Sequence, residues 1–561
     1  MAYLKLVSYS FPLKFRYKIY CFRALKYVTL LILDLGLISG KDLPKEFLNS
    51  SSKLDKGENT MEQFLNSVAA VNDAINTFVW VKIGLILLLG TGIIMTVLTG
   101  WFQISHIGHW WKNTIGEIFS KDSETKDKSD EKNISQFQSL CTALAATVGT
   151  GNIAGVAAAI VAGGAGSIFW MWVAAFFGMM TNYSENVLGI FYRRKNERGE
   201  WCGGAMYYLR DGLGSRKNCK KLGAVLAVAF SICCLLASFG IGNLSQINSI
   251  AVNLNSAFSI PNWVTGLAMV LIAALVIVGG IKRIASVTEK IVPFMVVIYI
   301  VGALIIFFAN IGMAPTVFKS IFGCAFGIKA VEGGFVGVTV KTVMTWGFKR
   351  GVFSNEAGLG SSVMVHSCSN VKEPVRQGMW GIFEVFADTI VVCTLTAFVI
   401  LSSGVVDPAT GTVLACDASG APLEKTALVG AAFSTLFGRF GSWFIAIAVL
   451  LFAFSTTLGW SVYGSKAWEY LFGRKSVIGY KIFFVAFIFV GPLLTSSLAW
   501  DISDTFNGLM MIPNLIGVLV LSPEVYKITK NYGDRYFRNK DEKPLLSHFE
   551  DIQAAMESEN N

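Results

Sequence analysis

Four residues, Gly149-Thr150-Gly151-Asn152, interrupt an apolar run at 142–160 that reads TALAATVGTGNIAGVAAAI. Two glycines with a threonine and an asparagine weaken a helix. In a run apolar enough to cross a membrane, broken backbone is tolerated only where it lines a cavity or is buried in protein. The N–H groups that open the resumed half-helix suit a carboxylate, because the dipole there is positive. Gly149 and Gly151 let backbone approach closely, and Thr150 and Asn152 add side-chain contacts. The plainer alternative is a glycine-rich helix packed closely on a neighbour.

A second interruption lies at 347–362, GFKRGVFSNEAGLGSS. It sets Lys349, Arg350 and Glu356 inside an apolar segment, where ionisable groups are costly and mark function. Its unwound carbonyls could receive an ammonium group. Further on, Glu384 and Asp388 lie four apart, hence on one helix face. They are expected to pair with Lys349 and Arg350 as a structural charge network, the alternative being that they carry protons. Glu185 is expected to pair with a nearby base. Ser455-Thr456-Thr457 places three hydroxyls in another apolar run; read alone, they back-bond to their own helix. Asn243, Gln246 and Asn248 crowd one more. Gln246 either faces a binding site or glues helices together. Trp460, one turn after Thr456, either caps a small pocket or packs in the ordinary way. As a cap it would select glycine, alanine or serine over leucine by steric exclusion.

These residues need a scaffold, and composition names its class. The 561-residue chain is 53% hydrophobic and 15% charged, whereas soluble domains run nearer a quarter charged. It reads as an all-α polytopic membrane protein. The formal charge of +10 is read as cytoplasmic loops rather than nucleic-acid binding. The ten cysteines are scattered with no metal or redox spacing,. The four histidines gather no acid or cysteine cluster in sequence, so no zinc site is expected,.

Eleven spans are expected,: 81–101, 137–161, 168–192, 222–254, 263–281, 284–310, 335–366, 375–401, 443–470, 477–499 and 505–526. Two shorter pieces, 317–331 and 426–436, read as surface helices. Bases concentrate after every odd span, as with Arg193, Arg194 and Lys195, or Lys282 and Arg283. The loops after even spans are nearly bare. Basic loops stay cytoplasmic, so the odd loops and the C-terminus are inside and residue 61 is outside. With the first span set aside, two sets of five remain, opposite in orientation, each opening on a broken helix. Interrupted segments at matching positions of two halves point to a transport site. The domains are then 1–60, an N-terminal extension read as dispensable or a mis-called start; 61–136, the first span and a cytoplasmic loop; 137–310 and 311–526, the five-helix repeats; and 527–561, a cytoplasmic tail.

The segments GGAGSIFWMWVAAFFG (163–178), QSLCTALAATVGTGNIAGVA, RGVFSNEAGLGSS and DTFNGLMMIPNL resemble the sodium:alanine symporter family, also called alanine or glycine:cation symporters. Ser167 stands where that pattern has Gly or Ala. The resemblance covers about 61–527. It implies a leucine-transporter-type 5+5 inverted repeat preceded by one extra helix. It also implies a secondary active symporter in the bacterial cytoplasmic membrane, importing alanine, glycine and related small neutral amino acids with Na⁺, or with H⁺ as the alternative coupling ion. No other cofactor is expected, and the partners are substrate, Na⁺ and membrane lipid. By the same resemblance Ala145, Val148, Ala453, Thr456 and Thr457 hold sodium. Thr150, Gly151, Asn152, Gln246, Thr456 and Trp460 line the substrate, and Asn152 stands near a second ion if one exists. A polytopic membrane enzyme would need a nucleophile–base or acid–metal constellation, and none stands in the sequence. A channel would place a polar ring or filter in a repeated pore segment.

Overall fold

The structure is a computed structural model that describes residues 57–120, 124–126, 132–326, 339–408, 411–417, 419–494 and 498–558. Of the N-terminal extension at 1–60, all but the first residues of a helix lie outside the described residues. The chain divides into two units, Met1–Phe78 and Val79–Asn561. The first ends in helix α1 (Gly57–Thr77). The second holds everything treated below.

Nearly every apolar run forms a helix. In order they are α2 (Leu85–Leu98), α3 (Gln136–Thr147), α4 (Ala154–Gly163), α5 (Gly166–Phe191), α6 (Lys220–Phe239), α7 (Ser245–Phe258), α8 (Asn262–Ile277), α9 (Gly280–Ala309) and α10 (Ala314–Ala325). There follow α11 (Val340–Asn355), α12 (Val363–His366), α13 (Pro374–Val385), α14 (Thr394–Ser402), α15 (Lys425–Phe437), α16 (Arg439–Phe472), α17 (Val477–Val490), α18 (Leu498–Val520), α19 (Ser522–Tyr536) and α20 (Glu550–Ser558). A two-residue antiparallel pair, β1 (Arg194–Lys195) with β2 (Trp201–Cys202), is the one sheet among the described residues. The surface pieces expected near 317 and 426 are helices α10 and α15.

By length and apolar composition, six described helical stretches can cross a membrane, or seven if the pair Trp500–Val520 and Ser522–Tyr536, bent by 58°, counts as one span. That criterion does not reach the expected eleven. The four others have visible physical reasons. Two are the broken helices. A third, α8, has only 16 residues. The fourth, α5, buries a polar half, Thr181 to Asn186, inside the protein. The last expected span also ends early: Pro523 opens a new helix, so 522–536 is not a continuation of α18.

Two wide turns matter for the site. The π-helical segment Gly240–Leu244 joins α6 to α7, and Phe386–Cys393 joins α13 to α14. Such bulges shift the face a helix presents and recur at functional sites.

Candidate functional site

The first break forms as its residues require. Ser135 caps α3 reciprocally with Gln138: each backbone N–H donates to the other's side chain, at 3.2 and 3.1 Å,. The helix closes at Val148, and Gly149 leaves helical space at φ −136°, ψ −149°. The Gly149 N–H donates to Asn152 Oδ1 at 2.9 Å. Thr150–Asn152 make one tight turn before α4 resumes. All are buried.

Gly149 lies against α16: a Cβ there would sit 2.3 Å from Thr456 Oγ1. At Gly459, one turn of α16 on, a Cβ would meet the Ala146 backbone N at 2.9 Å. On the other side, a Cβ on Gly151 would come within 3.1 Å of Ser354 Cα. The break is therefore wedged between α16 and the end of α11.

The second break occupies only the latter part of its expected range, 347–362. Residues 347–355 are helical within α11. Gly347 and Gly351 are a packing face for α5: a Cβ on Gly347 would meet the Ser167 carbonyl oxygen at 2.5 Å. Glycines four apart let two helices approach closely. The chain breaks instead at Glu356, with φ +56°, and stays irregular through Gly358 (φ +91°) and Gly360 (φ +71°). The first break meets the last turn of α11, Gly151 against Ser354, two residues before the second break begins.

The expected charge network separates into distinct groups. Lys349 and Arg350 do not reach Glu384 or Asp388; they pair with Asp504 at 3.0 and 3.6 Å. Helix α11 turns both bases toward α18 instead of α13. Asp388 sits in the π-helical segment beside the first break. Its Oδ2 accepts from Asn152 Nδ2 at 2.6 Å. Its Oδ1 accepts from Ser354 Oγ at 2.7 Å and Thr389 Oγ1 at 2.9 Å. Asn355 Nδ2 donates to Thr389 at 3.0 Å, and Cys393 Sγ lies 3.4 Å from Asn152 Nδ2. Every one of these side chains is fully or almost fully buried.

Glu384 pairs with His366, Oε2 to Nε2 at 3.1 Å, and accepts from Asn182 at 3.2 Å. Ser139 lies 3.2 Å from His366 Nδ1, and Gln377 joins the same group. The histidine does have an acid partner, 18 residues away. Glu356 accepts from Ser361 at 2.5 Å, beside Trp460 and Tyr463. Glu185, expected to meet a base, instead accepts from Asn514, which also donates to the Gly358 carbonyl at 2.9 Å in the second break. Among the described residues, no lysine or arginine lies within ion-pair distance of Glu185, Glu356, Glu384 or Asp388. A buried carboxylate demands hydrogen-bond donors, a proton or a cation.

The hydroxyls of α16 back-bond within their helix. Ser455 and Thr456 donate to the Phe452 carbonyl at 2.8 and 2.9 Å, and Thr457 to that of Ala453 at 3.0 Å. A hydroxyl that donates keeps lone pairs for a cation. Ala145 in α3 and Val148 at its end are the chain neighbours of Ala146 and Gly149, which lie against Gly459 and Thr456 of α16. Gln246 uses its amide N–H on its own helix, donating to the Ile241 carbonyl at 2.9 Å. Helix-to-helix bonding is done by Asn243, to the Phe484 carbonyl at 2.7 Å, and by Asn248, to that of Leu494 at 2.8 Å. Gln246 Oε1 and Thr150 Oγ1 are buried without a hydrogen-bond partner, and such atoms are costly unless a ligand receives them. The ring of Trp460 packs over Gly242, where a Cβ would be 2.3 Å from its own. Sequence reasoning missed Ser354, Thr389, His366, Asn514 and Asp504. Ser354, Asp504 and Asn514 stand inside quoted motifs, which was the available signal.

The buried oxygens around Asp388 suit a hard cation, and the peptide groups of two opposed breaks suit a small zwitterion. This is a site of the kind secondary transporters carry. Comparison with known proteins agrees in class: the chain belongs to the sodium:alanine symporter family, which matches residues 65–546, and it is a multi-pass membrane protein of transporter type. It is 45% identical over 470 residues to the sodium/alanine symporter AgcS of Methanococcus maripaludis, covering 84% of this chain and 98% of that protein. An uncharacterized transporter of Haemophilus influenzae is 38% identical, covering 84% and 97%. The putative sodium/proton-dependent alanine carrier protein YrbD of Bacillus subtilis is 36% identical, covering 82% and 91%.

Proposed function

We infer that the protein imports alanine, glycine and, less specifically, serine together with Na⁺ by alternating access. The observation that carries this reading is the contact of the first break with the end of α11 that leads into the second, Gly151 against Ser354, with Asn152 and Ser354 both bonded to Asp388. In this reading the substrate carboxylate takes the N–H groups opening α4, with Thr150 and Gln246 as side-chain partners. One sodium lies among the Ala145, Val148 and Ala453 carbonyls and the Thr456 and Thr457 hydroxyls. The oxygens of Asp388, Ser354 and Thr389 offer a place for a second cation. The names of AgcS and YrbD support the substrate class. The eleven-span, 5+5 arrangement follows from the matched breaks. The loop charges support a C-terminus inside the cell and residue 61 outside. A membrane potential then contributes ~2.3 kcal/mol per elementary charge per 100 mV to uptake.

The second coupling ion to weigh is H⁺. Its support is the set of four buried carboxylates, Glu185, Glu356, Glu384 and Asp388, with no lysine or arginine partner among the described residues, and the name of the relative YrbD.

Trp460 stands one turn after Thr456 on α16 with its ring seated on Gly242; as a wall of the substrate pocket it favours small side chains. In proteoliposomes, unlabelled glycine and serine should compete with labelled alanine, while leucine at tenfold excess should not. Equal competition by leucine would remove Trp460 as a steric wall and with it the small-substrate reading.

A further inference from the structure

The ion pair of Lys349 and Arg350 with Asp504 is unlike a permanent structural bridge. Asp504 is buried, yet a single oxygen, Oδ2, faces both bases, at 3.0 and 3.6 Å, while Oδ1 has no hydrogen-bond partner. Arg350 Nε is also buried without one. A buried bridge that serves stability has its remaining lone pairs and protons satisfied.

The pair also stands at a telling place. Arg350 reaches the first break's resumed helix, its Cδ 4.0 Å from where a Cβ on Gly155 would be. Its guanidinium lies 5.3 Å from the ring centres of both Trp346 and Phe353. Phe353 lies over Gly151 and stacks on Trp500 of α18, centres 6.4 Å apart. Lys425 of α15 lies 5.3 Å from the Trp500 ring, and Asp501 and Lys425 face the same carboxylate. A layer of charge and aromatic surface therefore roofs the site and ties α11 to α18. Both helices begin on the same side, the outer one by the loop charges, and the layer sits six residues before the second break, ~9 Å along the helix axis.

We propose that Asp504, with Lys349 and Arg350, is a releasable lock that closes the site on the outer side and must part before substrate enters. Asp504 is a positioning residue in this role: it holds Arg350 and Phe353 over the breaks and touches no substrate. The proposal rests on the transporter reading and on the membrane orientation.

Cys393, buried beside Asn152, is a native reporter for opening. With Cys393 as the sole cysteine of the full-length protein, a membrane-impermeant cationic methanethiosulfonate would be applied from either face of sealed vesicles. Asp504→Asn should raise the outer-face labelling rate at least tenfold, and alanine should slow it again. The charge exchange Asp504→Lys with Lys349→Asp should bring the rate back toward that of the parent; it also serves as the second variant should Asp504→Asn fold poorly. Labelling at the parent rate in a folded Asp504→Asn protein would overturn the lock. A rise confined to the opposite face would keep the lock and overturn the orientation. A rise from the outer face without alanine protection would keep the lock and overturn the placement of substrate at the breaks.

Discussion

Asp388→Asn should lower the initial rate of alanine uptake by roughly two orders of magnitude and weaken its Na⁺ dependence. The carboxylate receives Asn152, Ser354 and Thr389 in a buried site with no lysine or arginine within ion-pair distance among the described residues. An asparagine amide keeps one acceptor oxygen and turns an NH₂ toward those donors. One or two buried donors are then stranded, at about 1–3 kcal/mol each, and tenfold in an equilibrium corresponds to about 1.4 kcal/mol. A cation held there also loses its only formal counter-charge. Asp388→Glu retains the charge one methylene farther out and should fall between the two. The test is initial uptake against external Na⁺ in proteoliposomes at matched protein content. Uptake and Na⁺ dependence within twofold of the parent would remove Asp388 from the ion site.

Gly149→Ala should be nearly as damaging, for a different reason. The backbone at Gly149 has negative φ, so the cost is contact rather than conformation. The new methyl would stand 2.3 Å from Thr456 Oγ1 and 3.3 Å from its Cβ. Either Thr456 abandons its bond to the Phe452 carbonyl or the break moves off α16. Overpacking of this kind costs about 1–3 kcal/mol and displaces the Val148 carbonyl next door. Pairing it with Thr456→Ala separates packing from chemistry. The double variant should regain thermal stability, since the clashing hydroxyl is gone, yet remain at least tenfold slower than the parent, since that hydroxyl is the proposed sodium ligand. Recovery of both together would make Thr456 a packing residue and nothing more.

These two positions were legible in the sequence to different degrees. The break at Gly149 to Asn152 was expected from two glycines and two small polar residues in an apolar run; close helix packing was the alternative, and the matching interruption in the second half favoured the break. That Thr456 lies against it was implied by family resemblance and is seen in the contact with Gly149. Asp388 was visible as a buried acid, but its partners were not. It was expected beside Lys349 and Arg350 and instead bonds Asn152, 236 residues away. The reason is rotation about helix axes. A helix apolar on all sides has no stripe to fix which face turns inward, and a π-helical segment, as at Phe386–Cys393, shifts that face again. The same uncertainty hid Asp504 from Arg350 and Asn514 from Glu185. Gly347 and Gly351 were read as part of the second break because glycine signals both unwinding and close packing; only the neighbouring α5 decides between them. The bend after α18, where Pro523 opens α19, was a helix boundary masked by continuous hydropathy.

The central claim is that the two joined breaks couple amino acid movement to sodium. Purified protein in proteoliposomes, loaded with potassium buffer and given labelled alanine or glycine with an inward Na⁺ gradient, tests it most directly. The account predicts accumulation above the external concentration that collapses when external Na⁺ is replaced by choline at constant pH. Uptake of both substrates that is indifferent to Na⁺, or that never exceeds equilibration, would contradict it.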